Sequence, residues 1–187
     1  MRIGLIAMSG VRAVDRELME VGLTLPGFVE RSKVVASLPS LGLLTLAGMT
    51  PADHECDYHE IKDVRAMGEL PGRFDLVAIS SFSAQIGEAY ELSERYRAEG
   101  VPVVLGGLHV TAMPEEAGRH CDAVVVGEGE CSWLELLRDA ERGELKPIYR
   151  PAGEFDLAEA PMPAFELLDI ARYNRLTVQA SRGCPLR

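Results

Sequence analysis

"FDLVAISS", Phe74 to Ser81, is a nearly unbroken apolar run that is too short for a helix and shows no polar alternation. A strand of this kind is buried on both faces, and strands buried on both faces belong to parallel sheets with helices above and below. Working outward, similar runs occur in "RIGLIAM" (Arg2 to Met8), "VPVVLGG" (Val101 to Gly107) and "DAVVVGEGE" (Asp122 to Glu130), with a weaker one in "CDYHEI" (Cys56 to Ile61). Helical patterns fall between them. "LGLLTLAGM" (Leu41 to Met49) is opened by Pro39 and Ser40, "IGEAYELSERYRAEG" is closed by Gly100, "PEEAGRH" is short, and "SWLELLRDAERG" has Ser132 as its cap and Gly143 as its stop. Five strands separated by helices predict an α/β fold: a doubly wound, five-stranded parallel sheet of flavodoxin-like (Rossmann-like) strand order 2-1-3-4-5.

Composition narrows the partners. The chain of 187 residues carries a formal charge of -10, its pI is near 4.9, and no Lys/Arg cluster overrules that average, which argues against nucleic acid. No apolar run approaches the ~20 residues of a membrane helix, and "IGLIA" is too short for the core of a signal peptide, so the expected location is the cytoplasm. Cys56, Cys121, Cys131 and Cys184 lie far apart without a pairing rhythm, so no disulfide framework is expected.

Two stretches leave the βα rhythm. Residues 11–38 form a connection long enough to suggest function, lying over the ligand edge of the sheet. Residues 147–172, "PIYRPAGEFDLAEAPMPAFELLDIAR", are rich in proline and acid and suit a linker with one short helix, after which "YNRLTVQASRGCP" starts a new strand. The expected organisation is a ligand-binding domain at 1–146, a linker at 147–172 and the start of another domain at 173–187.

Ligands of open α/β sheets bind beyond the carboxyl ends of the strands, where the strand order reverses. The residues expected there are Ser9 and Gly10; Ser80, Ser81 and Phe82; Gly106, Gly107, Leu108 and His109; and Gly127, Glu128, Gly129 and Glu130. They are mostly small or polar, which leaves room for a deep ligand, although a glycine pair also serves simply to turn a strand into a helix. A phosphoacceptor receiver is excluded by Ser9-Gly10 and Ser80-Ser81, where acidic residues would be needed. "MSGVRAV" is not a flavin phosphate loop, and neither a Walker loop nor dinucleotide glycine spacing occurs.

"LVAISSFSAQ", "VPVVLGGLHVTAMPEEA" and "DAVVVGEGE", continued by "DLAEAPMPAFELLD" and "SRGCP", resemble the cobalamin-binding domain at the amino end of B12-dependent radical S-adenosylmethionine enzymes. The resemblance spans nearly the whole chain except residues 11–38. It implies a cobalamin whose corrin lies across the carboxyl edge of the sheet and whose nucleotide tail descends beside Ser80, Ser81, Gly106 and Gly107. Glu128 and Glu130 would receive corrin amide hydrogens, with solvated loop acids as the competing reading. Trp133 and Phe82 read as core or pocket wall.

In that family the linker leads into a partial TIM barrel, of which residues 173–187 would be the first strand, and "RGCP" opens a C-x3-C-x2-C motif. Cys184 would then be the first of three thiolates holding a 4Fe-4S cluster whose fourth iron binds S-adenosylmethionine. Further cysteines are expected at the fourth position after Cys184 and three later. No D-x-H-x-x-G follows the first strand, and "DYHEIK" (Asp57 to Lys62) is only an imitation of it. The tail's benzimidazole is therefore expected to be displaced from cobalt without a protein imidazole replacing it. The implied parent is a methyltransferase using methylcobalamin, the barrel being the domain's partner in the same chain. The alternative is a ligand-binding or interaction module that keeps the fold without using cobalamin.

Overall fold

The computed structural model describes residues 1–8, 38–151, 153–173 and 176–183. The expectations for Ser9, Gly10, most of the 11–38 connection and Cys184 fall outside the described residues. The strands are β1 (Arg2–Met8), β2 (Glu55–Ile61), β3 (Leu76–Ser80), β4 (Val103–Gly106), β5 (Ala123–Val125) and β6 (Ile148–Tyr149). They form one sheet in the order β2-β1-β3-β4-β5-β6, with every pairing parallel. The predicted order 2-1-3-4-5 is present, and the chain reverses direction of travel across the sheet between β1 and β3.

The sixth strand is an addition to the expectation, and it takes the first residues of the segment read as a linker. Two residues cannot show a period, so "IY" gave no strand signal. β6 is paired to β5 by the Val124 and Val126 amides, which donate to Pro147 O and Tyr149 O, and is anchored by its side chain: Tyr149 is 3% exposed and its hydroxyl donates to Asp139 Oδ2 at 2.9 Å. This bond, with Lys146 and Arg142 nearby, holds the Asp139 carboxyl below the ordinary carboxylate range.

Side chains alternate across the sheet with period two. Ile6, Met8, Val77, Ile79, Val103, Leu105, Val124 and Val126 face one layer, which is built by α2 (Ile86–Ala98), α3 (Leu108–Ala112) and α4 (Pro114–Ala117). Ile3, Leu5, Ala7, Leu76, Ala78, Val104, Ala123 and Val125 face the other, built by α1 (Leu41–Met49) and α5 (Trp133–Arg142). Helix α1 has the predicted bounds. It is apolar all round because it is covered twice: Leu43, Leu44 and Ala47 are buried, and the chain returning at Pro161–Ala164 crosses its outer side. There Ala164 N donates to Leu44 O at 3.0 Å, and Met162 O lies too close to Gly48 to leave room for a Cβ. Gly143, with φ +69°, ends α5 as expected.

Among the described residues, 173 and 176–183 are irregular and show no part of the strand expected from Tyr173. The single helix expected in 147–172 is replaced by three 3-10 turns, Leu157–Glu159, Phe165–Leu167 and Ile170–Arg172. No helix among the described residues is long and apolar enough to cross a membrane.

Candidate functional site

At the carboxyl ends of β3, β4 and β5, on the side covered by α1 and α5, the sheet opens into a cavity of about 280 Å³. The alternation that builds the core also builds this space. Ala78 and Ser80 on β3, Val104 and Gly106 on β4, and Val125 on β5 all line it; on β4 the side chain falls from valine to none, and at the strand ends Ser80 pairs in register with Gly106. Gly42, Leu43 and Leu46 of α1 form the opposite wall and Trp133 closes the side. The Trp133 ring is 2% exposed, and its Nε1–H donates to Thr50 Oγ1 at 2.9 Å, which fixes it as wall.

The two central glycines have different reasons to exist. A Cβ on Gly106 would meet only Val125 Cβ, at 3.9 Å, so its missing side chain is cavity. Gly107 has φ +103°, and a Cβ there would lie 2.6 Å from Ser81 O, so it is glycine because the loops after β3 and β4 nearly touch. Gly127, at φ +79°, turns the chain out of β5, and its N–H donates to Thr111 Oγ1 at 3.0 Å.

The mouth is charged. Glu128 Oε1 accepts from Arg182 Nη1 at 2.8 Å and its Oε2 from Phe155 N at 2.7 Å, while Glu130 Oε1 accepts from Arg182 Nη2 at 2.5 Å. The Glu128 carboxyl is held below the usual range, first by Arg182 and then by the Phe155 amide. These acids were expected to be free for a ligand's amides or solvent, but both are engaged by a guanidinium from the far end of the chain.

Seven of the predicted residues meet at the cavity: Ser80, Gly106, Gly107, Gly127, Glu128, Gly129 and Glu130. Ser81 is buried but does not line it, because its hydroxyl turns back to donate to Phe82 O at 3.0 Å. Phe82 and Leu108 stand outside it, 60% and 70% exposed. His109 does not reach it either: its Nδ1 lies 3.0 Å from Ser83 Oγ and its Nε2 3.4 Å from Glu116 Oε1, which occupies both ring nitrogens.

His59 packs on the Phe74 ring, and burial pushes its imidazole pKa down. His54 lies at the opposite end of the sheet, between the chain's amino group (3.3 Å) and Glu141 (3.5 Å), and His120 stacks on Tyr90. None of the four histidines lines the cavity. Sequence reading missed Gly42, Leu43 and Leu46, the strand residues Ala78, Ile79, Val104 and Val125, and Arg182. The all-round apolarity of "LGLLTLAGM" was a signal for the first three, whereas nothing local marks the last.

A doubly wound sheet with a largely apolar cleft at its carboxyl edge, walled by glycines and rimmed by polar groups, has the form of a ligand-binding α/β domain. Residues 30–137 match the family model described as the B12 binding domain, and the chain belongs to that family. It is 34% identical over 160 residues to the bacteriochlorophyllide d C-8(2)-methyltransferase of Chlorobaculum tepidum, covering 78% of this chain and 33% of that one. The bacteriochlorophyllide d C-12(1)-methyltransferase of the same organism is 33% identical over 118 residues, covering 60% and 26%. The hopanoid C-2 methylase of Rhodopseudomonas palustris is 27% identical over 156 residues, covering 81% and 29%. The chain thus spans between about a quarter and a third of the length of these relatives.

The residues present fit cobalamin. A side chain at Gly106 would fill the space that a flat bicyclic base needs, and the cavity's volume suits the benzimidazole tail while the corrin would remain outside.

Proposed function

We propose that this chain holds cobalamin with its benzimidazole tail in the edge cavity, as the cofactor-binding part of a cytoplasmic radical S-adenosylmethionine enzyme that transfers methyl groups. The observation that carries the reading is the set of small residues Ala78, Ser80 and Gly106 lining the cavity, which leaves a slot open to the corrin side of the sheet. When bound, cobalamin supplies an alkyl-carrying cobalt. The chain's own residues do the holding: α1 and Trp133 exclude water from the tail, the Ser80 hydroxyl offers a hydrogen bond to the base, and Glu128 and Glu130 set the charge of the mouth.

Further support comes from three relatives whose names are those of methyltransferases or a methylase, and from "SRGCP", whose resemblance to the start of a C-x3-C-x2-C motif would make Cys184 the first ligand of a 4Fe-4S cluster for S-adenosylmethionine. Barrel onset at residues 173–187 is part of the proposal, with the barrel as partner. The free thiols Cys56, Cys121 and Cys131 suit a reducing compartment.

Gel filtration of the purified chain with hydroxocobalamin tests this reading. A coloured complex of one cobalamin per chain is expected. Colour that separates completely from the protein would overturn the proposal in favour of a module that keeps the fold without the cofactor.

A further inference from the structure

The ion pairs at the cavity mouth join two segments that are far apart in sequence, "GEGE" and "SRGC". Arg182 donates to Glu128 and to Glu130, and its Nη2 also lies 3.1 Å from Gln179 Oε1, which braces the guanidinium from within its own segment. Residues 176–183 otherwise form neither helix nor strand, and Val178 is 82% exposed. Arg182 therefore carries the bonds that tie this segment to the loop after β5. The Glu130 side chain is 7% exposed, so lifting Arg182 away would leave a carboxylate buried without its cation. A planar fork that reaches two carboxylates at once is a property of arginine that lysine lacks.

Arg182 also lines a second cavity, of about 400 Å³, between α1 and the returning chain, where Leu41, Thr45, Met162 and Val178 face it. The segment carrying Arg182 is thus the partition between the edge cavity and this second space.

We propose that Arg182 is a positioning residue: its clamp on Glu128 and Glu130 latches the cobalamin tail in the edge cavity and, by the same bonds, fixes the segment that leads to Cys184 two residues later. A tail in the cavity displaces water from the mouth, which leaves the two carboxylates more dependent on the guanidinium and holds the clamp shut. Cofactor occupancy and the position of the cysteine-bearing segment are then coupled through one side chain. The inference rests on the proposed cobalamin site.

Two measurements on the purified chain test it. In the first, trypsin cleavage at Arg182 is timed against cleavage at the exposed Arg65, with and without hydroxocobalamin. Protection of Arg182 by at least about tenfold is expected, with Arg65 unaffected. In the second, hydroxocobalamin release is followed by recovery of Trp133 fluorescence on dilution. Arg182→Gln and Glu130→Gln are expected to release about tenfold faster than the unmodified chain, with Arg182→Lys in between. Glu130→Gln keeps the test decisive if Arg182→Gln folds poorly.

Unchanged Arg182 cleavage together with unchanged release, in a chain whose Trp133 is quenched by hydroxocobalamin, would overturn the latch and leave the cobalamin site standing. Absence of any quenching in the unmodified chain would overturn the site itself.

Discussion

Replacing Gly106 with leucine places a side chain inside the proposed tail cavity while leaving the fold alone. Gly106 closes β4 in ordinary backbone geometry, and a Cβ there touches only Val125, at 3.9 Å. Leucine adds four carbon atoms, each claiming about the ~30 Å³ share of a packed water, or roughly 120 Å³ in all. That is nearly half of the 280 Å³ available. A bicyclic base of tryptophan size buries about 150–200 Å², worth roughly 4–5 kcal/mol at ~25 cal/mol per Å². Losing half of that, about 2 kcal/mol, weakens binding about 30-fold.

The readout is Trp133, the one tryptophan of the sequence and part of the cavity wall, whose emission bound hydroxocobalamin should quench. Gly106→Leu is expected to need at least about 30-fold more cobalamin for half-quenching while melting close to the unmodified chain. Gly107→Ala provides the contrast: at φ +103° and 2.6 Å from Ser81 O, the substitution strains the loop crossing and should lower unfolding stability by about 2–4 kcal/mol. A Gly106→Leu chain that folds normally and binds within threefold of the original would refute the reasoning.

Three other outcomes are expected. Because the folded-state pKa of Glu128 is depressed, its contribution to stability is present above the ordinary glutamate value of about 4.3 and is lost as pH falls through the lower folded value. Urea unfolding at a series of pH values should therefore show a smaller acid loss in Glu128→Gln, and an identical loss would contradict the assignment. Tyr96 is fully buried, and its hydroxyl has no hydrogen-bond partner among the described residues, so Tyr96→Phe should leave stability unchanged or raise it by up to about 1 kcal/mol; a clear loss in urea unfolding would show a partner. Both ring nitrogens of His109 are engaged and no histidine lines the cavity, so the cobalt(II) form of bound cobalamin should show no nitrogen superhyperfine splitting on its axial electron paramagnetic resonance line. A triplet that vanishes in His109→Ala would contradict that arrangement.

The parts of this molecule legible in its sequence are those governed by local periodicity. β3 and β4 announce themselves because both faces are buried, and α1 was legible to the residue because Pro39 and Ser40 precede a run that is apolar but for Thr45. That the glycines and acids after β4 and β5 meet at one cavity was legible because the topology sends strand ends to one edge. β6 was not, since two residues carry no period, and its attachment rests on backbone pairing with β5 and on the buried Tyr149 finding Asp139 rather than on any pattern in "IY". Nor was the Arg182 clamp, whose partners lie 54 and 52 residues away and have no periodic relation to it. His109 had the right address after β4, but a helix forming directly behind Gly107 turns it toward Ser83 and Glu116.

The claim that the edge cavity receives the nucleotide tail is tested most directly by titrating Trp133 fluorescence with hydroxocobalamin and, in parallel, with cobinamide, which keeps the corrin and lacks the tail. Burial of the base contributes roughly 4–5 kcal/mol by its area. The expected result is saturable quenching by hydroxocobalamin at one equivalent per chain and binding of cobinamide at least about a hundredfold weaker. Equal affinity for the two would contradict it, because a ligand bound through its corrin alone has no use for the space beside Ala78, Ser80 and Gly106.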